Sequence, residues 1–266
     1  MKTMKLFLAA SLILITNAAS AQFANSNTST SGTMPQSSSR NVDTNGWQRI
    51  SLSYNPLKIT SDKSDAEDIN GTGIALEYTK GFSIAKEFPI FLEIGVNAMY
   101  SFYKVDENEK GQDYTLINGT KAELKYTHLA LKVPVNLAYK FSLSNKNISI
   151  VPYVGINFKG NLLGKAKHKL VDDLDEETTE KEFWQDYEED YAEDHGISGR
   201  EESNLFDKKE TGNKDATWKR FQMGWQLGVG LYYNQLYVGV GYGKDITELC
   251  KKTKIGTTSI TLGYSF

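Results

Sequence analysis

The stretch that decides the fold runs from Phe221 to Tyr233 and reads FQMGWQLGVGLYY. Every odd position carries an apolar or aromatic side chain, whereas the even positions carry glutamine, glycine and one tyrosine. Successive side chains of a β-strand point to opposite faces, so the stretch predicts a strand with one apolar face and one small or polar face. A helix would mix the two sets around its circumference.

Seven further segments show the same alternation. Phe91, Met99 and Val151 are apolar residues that fall on the polar face, and Lys80 falls on the apolar one. The sequence therefore predicts eight strands. In addition to 221–233, the segments are 49–54, 73–82, 90–102, 128–141, 148–159, 236–242 and 259–266.

The links between these strands alternate strictly between long and short. Antiparallel neighbours then place every long link at one end and both chain termini at the other end, beside the short turns. This layout predicts an all-β, eight-stranded antiparallel up-and-down transmembrane β-barrel with short periplasmic turns and long extracellular loops. In hydrocarbon an unpaired strand edge is costly, so the first and last strands are expected to pair. The long links are about 57–71, 104–122, 160–218 and 244–256.

The choice between a membrane barrel and a soluble one depends on which face points outward. Ten of the 22 glycines lie on the polar face, and an eight-stranded barrel has room for little more than its own side chains. Aromatic residues collect near both ends of the apolar stretches, as expected at two membrane interfaces. We therefore expect a polar network in the lumen, with a soluble lipocalin-like ligand carrier as the remote alternative. The network residues are Arg49, Glu77, Glu93, Lys132, Lys140, Gln222 and Gln226.

The beginning of the chain predicts export. Residues 1–21 combine Lys2 and Lys5 with an apolar run, Leu6 to Ile15, and an Ala-Ser-Ala cleavage pattern at 19–21, which is typical of a signal peptide. Residues 22–46 are rich in Ser, Thr and Asn and predict a flexible tail. The barrel domain is expected over 47–266.

Composition excludes several classes of protein. Mean hydropathy is −0.45, and no run of 18 apolar residues follows residue 21, which excludes a multi-pass helical membrane protein. One cysteine excludes a disulfide framework and a cysteine-based zinc site, and we regard Cys250 as incidental. A formal charge of −3 gives no reason to expect a nucleic-acid partner. No nucleotide or metal motif occurs, so no cofactor is expected.

The longest predicted loop is strongly acidic. Residues 171–202 hold 15 Asp or Glu against Lys181 and Arg200. A solvated extracellular loop explains this charge, and a surface for divalent cations or a basic partner is the alternative. Lysines at 165, 167 and 169 flank it and are expected either to contact lipopolysaccharide phosphates or to snorkel. The candidate weak cation ligands are Asp172, Asp173, Asp175 and Glu176, and the aromatic residues whose spacing predicts a short helix are Phe183, Trp184, Tyr187 and Tyr191.

Catalytic residues are sparse. A lipid A deacylase of the barrel type needs a serine two positions after its histidine, but Ala130 occupies that position after His128. Glu77 and Glu93 are expected to pair with basic lumen residues rather than to act as acid and base. A Ser–His–acid triad elsewhere remains open, but no enzymatic activity is expected.

Four motifs together resemble a known family. They are Tyr126–Val135 (YTHLALKVPV), Pro152–Gly155 (PYVG), Gly228–Leu231 (GVGL) and Ser259–Phe266 (SITLGYSF). In order and spacing they are similar to the outer-membrane β-barrel family common in Bacteroidota, the PorT-like or OmpA-like eight-stranded group, over residues 47–266. The resemblance implies that Tyr264 and Phe266 form the C-terminal signal read by the barrel assembly machinery. Unlike OmpA itself, this sequence is expected to lack a peptidoglycan-binding domain after strand eight.

These observations predict a protein of the cell outer membrane of a Gram-negative bacterium with a structural or interaction role. The barrel would present its extracellular loops for partner binding, envelope integrity or as a secretion accessory. The alternatives are small-solute transport and an outer-membrane lipid-modifying enzyme. Expected partners are outer-membrane lipid and lipopolysaccharide, together with an extracellular or secretion-machinery protein.

Overall fold

The computed structural model of the protein describes residues 44–62, 68–85, 87–105, 122–143, 147–170, 179–195, 201–212 and 214–266. The predicted signal peptide, most of the predicted tail and the four candidate cation ligands at 172, 173, 175 and 176 lie outside these ranges.

Eight long strands dominate the described chain. Two short strands and two helices lie between them, and none of the described helices is long and apolar enough to cross a membrane. The long strands are β1 (Trp47–Ser61), β2 (Ile69–Ser83), β3 (Ile90–Val105), β4 (Ala122–Tyr139), β6 (Ile148–Leu170), β8 (Phe221–Tyr233), β9 (Leu236–Asp245) and β10 (Thr253–Ser265). The short elements are β5 (Phe141–Ser142), α1 (Glu180–His195), β7 (Glu202–Asn204) and α2 (Lys208–Thr211).

The long strands close into a barrel in which every neighbour is antiparallel. The order is β4-β3-β2-β1-β10-β9-β8-β6, and β4 pairs with β6 to complete the ring. The first and last strands pair over their length, for example Leu52 opposite Leu262. The predicted fold class and the pairing of the terminal strands are confirmed.

The long links are shorter than the sequence indicated, because the strands continue beyond the apolar band. The first link covers only 62–68, and the last covers 246–252. The largest correction concerns residues 160–170, predicted as loop, which continue β6 and pair with β4. A bulge shifts the β4–β6 register between Leu129 and Ala130. Beyond it, the outward positions of β6 include Lys165 and Lys167 instead of apolar residues. The alternation of apolar residues ends at the bulge, so the sequence pattern missed this extension.

The apolar faces of the strands point outward. Leu262 is 62% exposed, and its cross-strand neighbours Leu52 and Val238 are exposed as well. The polar faces point into the barrel, where the three apolar exceptions at 91, 99 and 151 are also buried. A soluble carrier would show the opposite orientation. The described strands therefore have the surface of a membrane barrel.

Two apolar clusters fill the two ends of the lumen. The short-turn plug consists of Trp47, Phe91, Ala138, Val151, Tyr232 and Tyr237. The loop-end plug consists of Leu57, Ile59, Ala75, Met99, Tyr103, Leu124, Ala166, Leu205, Trp218, Leu249 and Ile255. Glycines make room for the large rings: a β-carbon at Gly230 or Gly239 would overlap the Tyr237 side chain. Polar side chains occupy the lumen between the plugs.

Candidate functional site: the lumen and the loop end

The lower lumen is organised around Arg49. Its guanidinium lies 3.2 Å from a Glu77 carboxylate oxygen and 3.5 Å from a Glu93 oxygen, and it donates to the Tyr232 hydroxyl at 2.7 Å. Its Cζ also lies 3.9 Å from the centre of the Tyr237 ring. The side chains of Arg49 and Glu93 are each only 4% exposed. One buried cation therefore holds two carboxylates at the border of the short-turn plug.

A chain of amides extends this group across the barrel. Asn136 donates to Glu93 at 2.9 Å, Gln226 donates to Asn136 at 2.8 Å, and Asn157 donates to Gln226 at 3.2 Å. The Trp47 indole donates to the second Glu93 oxygen at 3.2 Å. These contacts link strands β1, β3, β4, β6 and β8, so the network joins widely separated parts of the sequence.

A second buried group lies beneath the loop-end plug. The Lys159 ammonium bonds both oxygens of Asp245 at 2.9 and 2.8 Å, and Gln222 donates to the same carboxylate at 2.9 Å. Asn161 donates to Gln222 at 3.0 Å, and its amide oxygen lies 2.9 Å from Nε2 of His128. The Lys159–Asp245 pair was not predicted from the sequence, because Asp245 was expected in a loop. The alternation of inward-facing residues in β9 continues through Asp245 and is the signal that could have revealed the pair.

Lys132 lies between the two groups. Among the described residues, two adjoining cavities of about 50 Å³ each lie in the lumen, and both are lined by Lys132, Tyr153, Gln226 and Ser259. Each has room for water molecules. Glu77 and Glu93 pair with a basic lumen residue as expected, and that residue is Arg49. Lys132 forms no ion pair with any described residue and lines a cavity together with both carboxylates.

Lys140 lies at the short-turn end of the barrel. It follows the last residue of β4, and its backbone amide donates to the Pro89 carbonyl at 2.9 Å. The structure brings the other six predicted network residues into the lumen.

The predicted assembly signal lies at the short-turn end of the outer wall. The side chains of Tyr264 and Phe266 are exposed, and the Tyr264 hydroxyl donates to Gln235 at 2.6 Å. The backbone amide of Phe266 donates to Gln48 at 3.0 Å, which fixes the last residue against β1. Recognition of these two residues during assembly stays a prediction.

The loop end of the barrel is capped by the segment from β7 to Arg220. Leu205 and Trp218 are buried in the loop-end plug, and the Trp218 ring lies edge-on to His128 at 5.3 Å between centroids. Ser101 stands opposite His128 in the β3–β4 register, and both side chains are fully buried. A serine and histidine thus adjoin beneath the cap without access from outside.

Helix α1 begins with a capping box. The Thr179 hydroxyl accepts from the Glu182 amide at 3.3 Å, and a Glu182 carboxylate oxygen accepts from the Thr179 amide at 3.0 Å and from its hydroxyl at 2.7 Å. Phe183, Trp184 and Tyr187 make ring contacts with one another. The predicted aromatic helix in the acidic segment is confirmed.

Replacing Thr179 by alanine is expected to reduce the helicity of α1 and to return the pKa of Glu182 towards its usual range. In the native protein, hydrogen bonds from the Thr179 hydroxyl and then from its backbone amide lower that pKa. Because the folded pKa is the lower one, the contact stabilises α1 above the ordinary carboxyl range and is lost as pH falls through the folded pKa.

Carboxyl NMR titration measures this effect, and Thr179→Ser is the control that keeps the hydroxyl. An unchanged Glu182 titration in Thr179→Ala would show that the capping box does not hold the carboxylate.

Comparison with known proteins agrees with this geometry. A family model described as outer membrane protein beta-barrel domain matches residues 36–243. The chain belongs to this family. It is an outer-membrane β-barrel protein, and its membrane is the outer membrane of the Gram-negative type. A comparison of the sequence with curated proteins gives no match.

Solved structures similar to this outer-membrane barrel include three small barrels. Ail, the attachment invasion locus protein of Yersinia pestis, in complex with the heparin analogue sucrose octasulfate, is 13% identical, with 83% of this chain and 99% of that chain covered and a TM-score of 0.43. Neisserial surface protein A is 14% identical, with 82% and 97% covered and a TM-score of 0.35. OprG from Pseudomonas aeruginosa is 10% identical, with 83% and 95% covered and a TM-score of 0.35.

Proposed function

We propose that this outer-membrane barrel is a closed anchor that presents its extracellular segments, above all the acidic one between β6 and β7, to a macromolecular partner outside the cell. The observation that carries the proposal is the filled lumen. Two apolar plugs and paired charges occupy the described lumen, and the cavities between them measure about 50 Å³ each, which favours a closed barrel over a channel. The surface available for binding a partner is then the loop end.

Small-solute transport is the weaker alternative for the same reason. A pore through this lumen would require the ion pairs of Arg49 and Lys159 and both apolar plugs to rearrange together. Larger barrels conduct because their interior exceeds what their side chains fill, whereas eight strands leave little space.

A lipid-modifying role is favoured only by the facing positions of Ser101 and His128. Both lie at 0% exposure beneath Trp218, and the Nε2 atom of His128 is engaged by Asn161. A hydrolase needs its nucleophile and base to reach a substrate. We therefore propose a role in presentation and none in catalysis.

The experiment removes the helical part of the acidic segment, which holds eight of its 15 acidic residues, and leaves the cap residues in place. Deletion of residues 179–199 takes away α1 and stops before β7, because Ser203 and Leu205 belong to the closed loop end. The matched control replaces the same residues by a Gly/Ser segment of equal length. Surface cross-linking on intact cells is the measurement.

We expect the cross-linked species of the wild type to disappear in both variants, while both barrels still reach the outer membrane and show a heat-dependent mobility shift. Identical cross-linked species on wild-type and deleted barrels would contradict the proposal.

A further inference from the structure

Lys132 is a lumen cation that no described carboxylate contacts. In the β4–β6 register it stands directly opposite Lys159, and both side chains point into the barrel. Lys159 is paired with Asp245 at 2.8 Å, whereas Lys132 has no such partner among the described residues. Like charges directly opposite on two strands repel, and the repulsion is stronger in a protein interior than in water. The position of Lys132 therefore calls for a counterion.

The carboxylates of the described lumen are already engaged by other donors. Both oxygens of Glu77, of Glu93 and of Asp245 accept hydrogen bonds from side chains other than Lys132. The donors are Arg49, Thr79 and Asn97 for Glu77, Trp47 and Asn136 for Glu93, and Lys159 and Gln222 for Asp245. An ammonium has three N–H donors and no acceptor, and a charge inside a protein requires a partner. The acidic side chains and Lys132 balance in number, but the contacts leave Lys132 out.

Two hydroxyl groups lie beside the same space as Lys132. Tyr153 and Ser259 line both lumen cavities with it, and we call these two adjoining cavities the lumen chamber. A β-carbon at Gly241 would lie 2.6 Å from the Tyr153 hydroxyl and 2.8 Å from the Ser259 hydroxyl, so both groups meet at a position without a side chain. Neither hydroxyl forms a hydrogen bond with another described side chain. One ammonium and two O–H donors thus face the chamber.

The size of the chamber limits what these donors can hold. Each cavity measures about 50 Å³, which admits particles of the size of water. Hydrogen bonds from an ammonium to an anion are roughly twice as strong as those between neutral groups. Size therefore restricts the occupant to water or a small inorganic anion, and the charge of Lys132 favours the anion.

We propose that the lumen chamber is a binding site for one small inorganic anion of the size of chloride. The ammonium of Lys132 binds the anion, and the hydroxyls of Tyr153 and Ser259 donate hydrogen bonds to it. The bound anion offsets the repulsion between Lys132 and Lys159 and stabilises the folded barrel. The inference does not depend on the presentation role, because the site lies inside the barrel rather than in the loops.

The test is urea unfolding and refolding of the full-length barrel in phosphatidylcholine vesicles, with sodium chloride replaced stepwise by sodium gluconate at constant ionic strength. Gluconate is too large for the chamber. For one site that only the folded barrel has, each tenfold rise in chloride above the dissociation constant is expected to lower the unfolding equilibrium constant about tenfold.

Lysine variants show where chloride acts. Lys132→Met is expected to abolish the chloride dependence. The matched control is Lys80→Gln, which changes a lysine on the outer face near the short-turn end and is expected to retain the dependence of the wild type. Each variant is first checked for the heat-dependent mobility shift of the folded barrel.

Two further variants remove a donor without changing the charge. Tyr153→Phe and Ser259→Ala are each expected to need roughly tenfold more chloride for half of the effect, because one hydrogen bond to a charged group is lost. Both keep Lys132, so they test the proposal even if Lys132→Met does not refold. Anomalous diffraction from crystals of barrel refolded in sodium bromide is expected to place bromide beside the Lys132 ammonium.

Identical unfolding curves of the wild type in chloride and in gluconate would overturn the proposal and leave water as the occupant of the chamber. The same chloride dependence in wild type and Lys132→Met would also overturn it, because chloride would then act elsewhere on the protein. So would half-effect concentrations of chloride that are unchanged in both Tyr153→Phe and Ser259→Ala.

Discussion

Replacing Arg49 by methionine is expected to destabilise the folded barrel by roughly 3–5 kcal/mol, the usual cost of leaving a buried charge without its partner. The carboxylates of Glu77 and Glu93 would remain in the lumen without the guanidinium that pairs with both of them. Methionine retains most of the packing against the Tyr237 ring, so the lost stability would come mainly from the loss of the positive charge. Urea unfolding in phosphatidylcholine vesicles measures the change.

The control for this prediction is Arg49→Met/Glu77→Gln/Glu93→Gln, which removes the whole ionic group. We expect it to recover most of the lost stability, because neutral amides of similar shape carry no unpaired charge. If the triple variant is as unstable as Arg49→Met, packing rather than charge accounts for the role of Arg49.

Replacing Leu262 by arginine is expected to cost about 2–4 kcal/mol and to reduce insertion, because a lipid-facing arginine near the middle of the bilayer is poorly solvated. Leu262 points outward between Leu52 and Val238. The same unfolding assay in vesicles, together with the yield of heat-shifted barrel, measures the effect.

Thr258→Arg is the matched control on the same face of β10, four residues closer to the loop end and opposite Tyr242. Near the interface an arginine is expected to cost only about 0–1 kcal/mol. Equal penalties at 258 and 262 would contradict the placement of the apolar band.

The sequence predicted the barrel because a strand that separates lipid from a packed lumen must alternate strictly. Segments such as Phe221–Tyr233 were therefore enough to predict the fold, and the same alternation identified Arg49 and Glu93 as lumen residues. The pattern failed where the physical constraint ends. Beyond the membrane the outward face is wet, so Lys165 and Lys167 take the positions of apolar residues, and the bulge beside Leu129 breaks the register.

The partners within the lumen were harder to predict than the lumen itself. Parity gives the face of a residue, but strand register decides which of several charged residues meet. Arg49 contacts Glu77 on the adjacent strand and Glu93 one strand further. Lys159 meets Asp245 across the barrel end, although 86 positions separate them in the chain.

Single-channel recording of the purified barrel in a planar lipid bilayer tests the central claim most directly. A lumen closed by two apolar plugs and paired charges predicts no current steps at any holding voltage that the bilayer withstands. Reproducible current steps from the wild type that change in size in Arg49→Met would show that the lumen conducts, and would replace the closed anchor with a pore.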